Sequence, residues 1–200
     1  MIYGRKGINL DITHRCTLQC PACPRYFYKK NNIKVPGHDM SDIEFDLILN
    51  YFEYIRFCGN ISDPVFHPRF DKFLEKVYLQ NKKAIVHTSA SHKKMDWYKT
   101  AFKLNIDARW KFGIDGLPHQ SSTYRINQDG EKMFDVMLMC NEMGIETVWQ
   151  YIIFSYNQDN IEEAKQLAKK HNINIEFMIT HRVGRDHEWL RPRDEYTIKF

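Results

Sequence analysis

Six short apolar runs, rich in β-branched and aromatic residues, punctuate the chain. They are INLDIT near 8–13, YIRFCG near 54–59, AIVHTS near 84–89, RWKFGID near 109–115, TVWQYIIF near 147–154 and INIEFMIT near 173–180. Between them lie stretches with the spacing of amphipathic helices. In SDIEFDLILNYFEYI, Ser41 or Asp42 is placed to cap the N-terminus, and Ile43, Leu47, Ile48, Tyr51 and Ile55 recur as one face. Helical spacing also covers Arg69 to Gln80, Lys93 to Leu104, Glu131 to Met143 with Gly144 as its stop, and Asn160 to Lys170. Such alternation builds βαβ units, so the fold class is α/β, with a parallel sheet and helices outside it. Six units fall short of the eight that close a full barrel. The expectation is an open, partial TIM-like barrel of about six βα units on a curved parallel sheet, not a flat doubly wound one.

The chain has 200 residues, 43% of them hydrophobic, enough for one sizeable core and short for two. No linker, low-complexity segment or repeat beyond the βα unit divides it. The reading is a core over residues 1–180 followed by a basic tail over 181–200. A formal net charge of +4 helps an anionic partner approach but falls short of a nucleic-acid-binding composition. No apolar run approaches the roughly 20 residues of a membrane helix. The N-terminal stretch MIYGRKGINLDITHRC lacks the apolar segment of a secretory signal. The expected location is the cytoplasm, with no membrane partner.

In parallel α/β architectures the loops after the strands gather at one face and form the site. Here they are GNISDPVFHP after the second strand, TSASH after the third, DGLPHQSSTYR after the fourth, SYNQDN after the fifth and THRVGRDH after the sixth. The long segment after the first strand carries CTLQCPAC, which places Cys16, Cys20 and Cys23 within eight residues. Three thiolates spaced CxxxCxxC suit three corners of an iron-sulfur cluster, or zinc, since both favour soft sulfur ligands. A structural zinc wants four closed ligands, and His14 or His38 would complete a Cys3His set. Of the remaining cysteines, Cys58 ends the second strand close to the site and reads as a small buried hydrophobe. Cys140 reads as core.

CTLQCPAC followed by CPR resembles the cluster motif of the radical S-adenosylmethionine (radical SAM) superfamily, and later segments agree in order. Ser62 to Pro68 resemble its Gly-Glu-Pro stretch, with Gly59 and Asn60 just upstream. Thr88, Ser89 and Ala90 resemble a Thr-Asn-Gly turn, Gly113 to Gly116 a Ser-Ile-Asp-Gly, and Tyr124 with Arg125 a Tyr-Arg pair. The resemblance covers roughly residues 8 to 180. There are departures: Ala22 stands where an aromatic residue often rests on the adenine, Asn60 where glycine is usual, Asp63 where glutamate is usual, and Gly113 lacks a serine hydroxyl.

The resemblance implies a 4Fe-4S cluster held by Cys16, Cys20 and Cys23, with one iron open to chelate S-adenosylmethionine. Reductive cleavage then gives methionine and a 5'-deoxyadenosyl radical, which abstracts hydrogen from a substrate. It also implies that Gly59, Asn60, Ser62 and Asp63 form a methionine-binding edge. Thr88, Ser89, Asp115 and Gln150 become ribose or carboxylate contacts, and Arg125 a carboxylate partner. An external one-electron reductant of flavodoxin or ferredoxin type is implied, and no side chain is singled out as catalytic. The substrate is expected to be a peptide or protein, ahead of a nucleotide or sugar. The tail holds no cysteine, so the form expected within these residues is short, without an auxiliary-cluster domain. A non-catalytic zinc-binding or interaction domain is the alternative. The basic segments RYFYKKNNIK and THRVGRDHEWLRPR read as a loop and a tail over the barrel.

Overall fold

The computed structural model describes residues 6–197. The ends of the N-terminal stretch and of the basic tail, residues 1–5 and 198–200, lie outside the described residues. Six parallel strands form one sheet: β1 (Gly7–Leu10), β2 (Tyr54–Phe57), β3 (Lys83–Thr88), β4 (Arg109–Gly113), β5 (Thr147–Ile152) and β6 (Asn174–Met178). Their order across the sheet is their order in the chain. That order matches a (βα)8 barrel wound through six units, because a doubly wound sheet must reverse direction midway. Among the described residues β1 pairs only with β2, and β6 only with β5, so the sheet is open.

The principal helices are α1 (Pro24–Lys30), α2 (Asp42–Tyr51), α3 (Phe70–Leu79), α4 (Met95–Leu104), α5 (Gly130–Glu142), α6 (Ile161–Lys170) and α7 (Asp194–Thr197); α2 to α6 follow the expected positions, whereas α1 and α7 form in the segments read as a loop and a tail. Their termini carry the local chemistry that stops a helix. Ser41 and Glu44 close a capping box at the start of α2, with the Ser41 N–H donating to the Glu44 carboxylate at 2.7 Å. Gly144 takes φ +76° just past α5, while Asn32, Asn81 and Asn172 take φ near +50° just past α1, α3 and α6. These positions use the left-handed conformation that glycine and asparagine tolerate best.

The two faces of the sheet differ in kind. Ile55, Phe57, Val86, Trp110, Phe112, Trp149 and Tyr151 belong to the main buried core, together with Phe45, Phe73 and Phe102 of the helices. Alternation then turns Arg56, His87, Lys111, Gln150 and Glu176 to the opposite face.

One expected face is corrected. On α2 the buried residues are Phe45 and Leu49, whereas Ile43, Leu47 and Tyr51 are 75%, 55% and 66% exposed. Ile55 belongs to β2. The Phe45 ring stacks on Phe73 at 4.1 Å and near Phe57 at 5.9 Å, and these aromatic contacts set the helix's rotation.

Candidate active site

The C-terminal ends of the strands and the loops beyond them surround a cavity of about 450 Å³. Cys16, Cys20 and Cys23 all line it. Their loop is fixed at several points. The Gln19 N–H donates to the Ile126 carbonyl at 3.0 Å, and Asn127 Nδ2 donates to the Thr17 carbonyl at 3.1 Å. The Cys23 N–H donates to the Cys20 carbonyl at 3.0 Å and turns the chain into α1. Pro24 opens that helix where a missing N–H costs nothing. Arg25 reaches back from α1 to donate to the carbonyls of His14 and Ile61, tying the cysteine loop to the loop after β2.

The donor set fits an iron-sulfur cluster. All five cysteines are free, and burial pushes the thiols of Cys16 and Cys20 up to about 12 and about 11. A metal that takes such groups as thiolates removes their protons. Among the described residues, no three His, Cys, Asp or Glu side chains are close enough to share one ion. Three sulfurs around a single zinc, each about 2.3 Å from it, would come within about 4 Å of one another. A cluster in which each cysteine bonds its own iron asks for no such crowding. His38 faces solvent beside Glu44 at 3.1 Å, His14 lies 3.9 Å from Asp39, and neither lines the cavity.

Two carboxylates, one exposed and one buried, build the adjoining loops. Asp11, just beyond β1, accepts from the Asn60 N–H at 2.9 Å, from the Ile61 N–H at 3.4 Å and from the Ser62 hydroxyl. A Cβ on Gly59 would overlap the Ser62 carbonyl, so this turn closes only on glycine. Asp63 is 4% exposed, and its carboxylate accepts from the Ser89 N–H at 2.7 Å, the Ala90 N–H at 3.1 Å and the Thr88 hydroxyl at 3.0 Å. The Val65 N–H adds a fourth donor at 3.3 Å. Asp63 thus joins the loop after β2 to the loop after β3. Gly59, Asn60, Ser62, Asp63, Thr88 and Ser89 all line the cavity.

The loop after β4 completes this wall. A side chain on Gly113 would meet Ser89 Oγ and the Arg125 guanidinium, so the missing serine hydroxyl makes room for arginine. Arg125 lines the cavity and lies with its Nε 2.8 Å from the carboxylate of Asp115. Asp115 is fully buried behind it and does not line the cavity. Its Oδ1 accepts from the Ile152 N–H at 2.9 Å, which links the ends of β4 and β5. Gln128 holds the same region by donating to the carbonyls of Ser89 and Gly113 at 2.7 and 2.8 Å.

Gln150 lines the cavity from β5, beside His87 and Lys111, which sequence reasoning did not single out. Both follow from strand alternation once the core face is known. Asp11 lacked any local signal, because its partners lie about 50 positions away. Cys58 also lines the cavity, and Cys140 is buried in the core. From the basic tail, His181 and Arg182 reach the cavity rim, while Leu190 is buried with Leu18, Cys20, Tyr124 and Phe154.

No family model matches the chain, and no curated protein matches it. Solved structures do. Native anSMEcpe with bound AdoMet and Cp18Cys peptide aligns with a TM-score of 0.63 at 14% identity, over 87% of this chain and 50% of that one. SuiB of Streptococcus suis, bound to precursor peptide SuiA, aligns with a TM-score of 0.73 at 12% identity, over 97% of this chain and 45% of that one. Methylornithine synthase (PylB) aligns with a TM-score of 0.67 at 8% identity, over 88% and 53%. The chain has their fold. It spans about half the length of each, and at these identities the likeness is one of architecture.

Proposed function

We propose that this chain is the core of a radical SAM enzyme. The carrying observation is that Cys16, Cys20 and Cys23 of CTLQCPAC line one cavity with the strand-end loops of a singly wound parallel sheet. The fold likeness to proteins solved with bound AdoMet supports the same reading.

Cys16, Cys20 and Cys23 hold a 4Fe-4S cluster through three irons. The group so held supplies one-electron cleavage of S-adenosylmethionine to methionine and a 5'-deoxyadenosyl radical, which takes a hydrogen atom from the substrate. The chain's own residues bind and orient. Gly59, Asn60 and Ser62 offer the methionine edge, shaped from below by Asp11 and Asp63. Thr88, Ser89 and Gln150 offer polar contacts to ribose or carboxylate. Arg125, its Nε held by Asp115, turns the rest of its guanidinium to a carboxylate. Asp115 acts through Arg125, since it has no exposed surface. The apolar cluster of Leu18, Tyr124, Phe154 and Leu190 around Cys20 keeps water from the site.

The reaction needs an external one-electron donor of flavodoxin or ferredoxin type and a reducing compartment, so we place the protein in the cytoplasm. A peptide or protein substrate is favoured over a nucleotide or sugar, because anSMEcpe and SuiB were both solved with peptides. Anaerobic reconstitution should load about four irons and four sulfides per chain. Reduction with S-adenosylmethionine should release 5'-deoxyadenosine, and Cys20→Ala should abolish that release. One zinc per chain and no iron, or undiminished release from Cys20→Ala, overturns the assignment.

A further inference from the structure

The inner face of a closed (βα)8 barrel is packed with branched apolar side chains. Here Ile85, Val148 and Ile152 share that face with polar and positively charged side chains. Arg56 points inward from β2, His87 from β3 and Lys111 from β4, and the register sets His87 directly beside Lys111. Arg56 pairs with Ile85, two residues before His87, so it stands on the diagonal to His87. His87, Lys111 and Gln150 line the cavity that also holds the three cysteines, and His181 and Arg182 add basic groups at its rim.

The acidic groups around this floor already have partners. Glu176 is shared between Lys111 and Arg109, with Arg109 at 3.0 Å. Asp63 is filled by four donors, Asp11 holds the 60–62 turn, and Asp115 faces Arg125. Donors are left over. Arg56 Nε is buried without a hydrogen-bond partner among the described residues, and so is His87 Nε2, although Gln150 stands within hydrogen-bond reach of the same ring. A buried donor with no acceptor is unfavourable, so a ligand that accepts from it binds more tightly.

We propose that His87 and Lys111 on the cavity floor, with Arg56 on the adjoining strand, form an oxyanion site, which receives a carboxylate or phosphate carried by the substrate. The guanidinium of Arg56 and the ammonium of Lys111 come from the strands on either side of His87, and both carry the charge that either group seeks. Anchored there, a substrate lies along the cavity between the floor and the cysteine loop. The word substrate rests on the enzyme reading above; the anion site itself does not.

The test is an anion titration at constant ionic strength, followed through the His87 ring resonances and by thermal shift. The probes are inorganic phosphate and acetate, added to the protein as purified and again after cluster reconstitution with saturating S-adenosylmethionine. At least one probe should bind with a dissociation constant in the millimolar range or tighter. Arg56→Met and Lys111→Met should each weaken it at least tenfold. Arg56→Met breaks no ion pair, so it reports on the site without a folding defect, and its circular dichroism should match the parent. Phosphate binding without acetate binding assigns a phosphorylated substrate, and the reverse assigns a carboxylate. If neither probe binds, or if both variants bind as well as the parent, the site is overturned. Anion binding that persists in a protein unable to cleave S-adenosylmethionine would strike the enzyme reading and leave the site standing.

Discussion

Arg125 Nε lies 2.8 Å from the carboxylate of Asp115, which has no exposed surface. The Arg125 guanidinium lies over the bare Cα of Gly113, and Asp115 carries the link onward to β5 through the Ile152 N–H. The contact is a buried ion pair. Its strength comes from the low dielectric around it, and so does the penalty for breaking it.

Arg125→Met leaves the Asp115 charge buried and alone. It should lower unfolding free energy by about 3–5 kcal/mol in urea titration of the metal-free protein. The double variant with Asp115→Asn should recover part of that loss, because no uncompensated charge remains. A single variant within about 1 kcal/mol of the parent would show that the pair carries no structural weight.

Asp63 separates a structural role from a cofactor role. Asp63→Ala strands the N–H groups of Ser89 and Ala90 and the Thr88 hydroxyl, all near or within the core. The expected loss is about 3 kcal/mol of stability before any cofactor is added. Asp63→Asn keeps one acceptor oxygen and should lose less. Were Asp63 only a contact for the methionine amino group, Asp63→Ala would leave the midpoint of metal-free unfolding unmoved.

Gly59→Ala tests the turn that faces the proposed methionine edge. The added methyl must displace the Ser62 carbonyl, and with it the three donors that converge on Asp11. S-adenosylmethionine affinity should fall at least tenfold in calorimetry, while iron loading on Cys16, Cys20 and Cys23 stays near four per chain. Loss of iron together with affinity would place Gly59 in the support of the cysteine loop instead.

The order of strands and helices was legible because period-two and period-3.6 patterns are local and strongly marked. The rotation of α2 was not. Ile43, Leu47 and Tyr51 form one apolar stripe and Phe45 with Leu49 another, and only Phe57 and Phe73, supplied from β2 and α3, choose between them. The cysteine loop could be read from spacing, and the cavity does gather those cysteines with most of the loop residues named from sequence. Asp115 lies behind the wall instead of in it. The partners of Asp11 and Asp63 come from loops 25 to 50 positions away, a distance over which a sequence pattern carries no register. The cationic inner face was hidden for a related reason: which half of each strand faces the cavity follows only from which half fills the core.

That inner face sets a pH dependence. His87 is held down to about 4 by burial first, then by Lys111 and Arg56, with Gln150 and Glu176 beside it pulling weakly the other way. An unfolded chain protonates this histidine near 6.5, whereas the folded chain waits until about 4. Between those values the unfolded state binds more protons, so stability is full above about pH 6.5 and falls as the pH drops towards 4. At about 1.4 kcal/mol for each tenfold change, the loss linked to His87 is at most about 3 kcal/mol. His92, held down to about 4 by burial and then by Lys93 and Lys132, acts in the same direction. Urea midpoints measured at pH 6.5, 5.5 and 4.5 should therefore decline, and His87→Gln should decline less steeply than the parent. A parent and variant with parallel declines would remove His87 as the cause. Phosphate supplies a second check on the same residue. An anion seated against the ring favours the imidazolium, so saturating phosphate should raise the folded-state value and flatten the parent's decline, but leave that of His87→Gln unchanged.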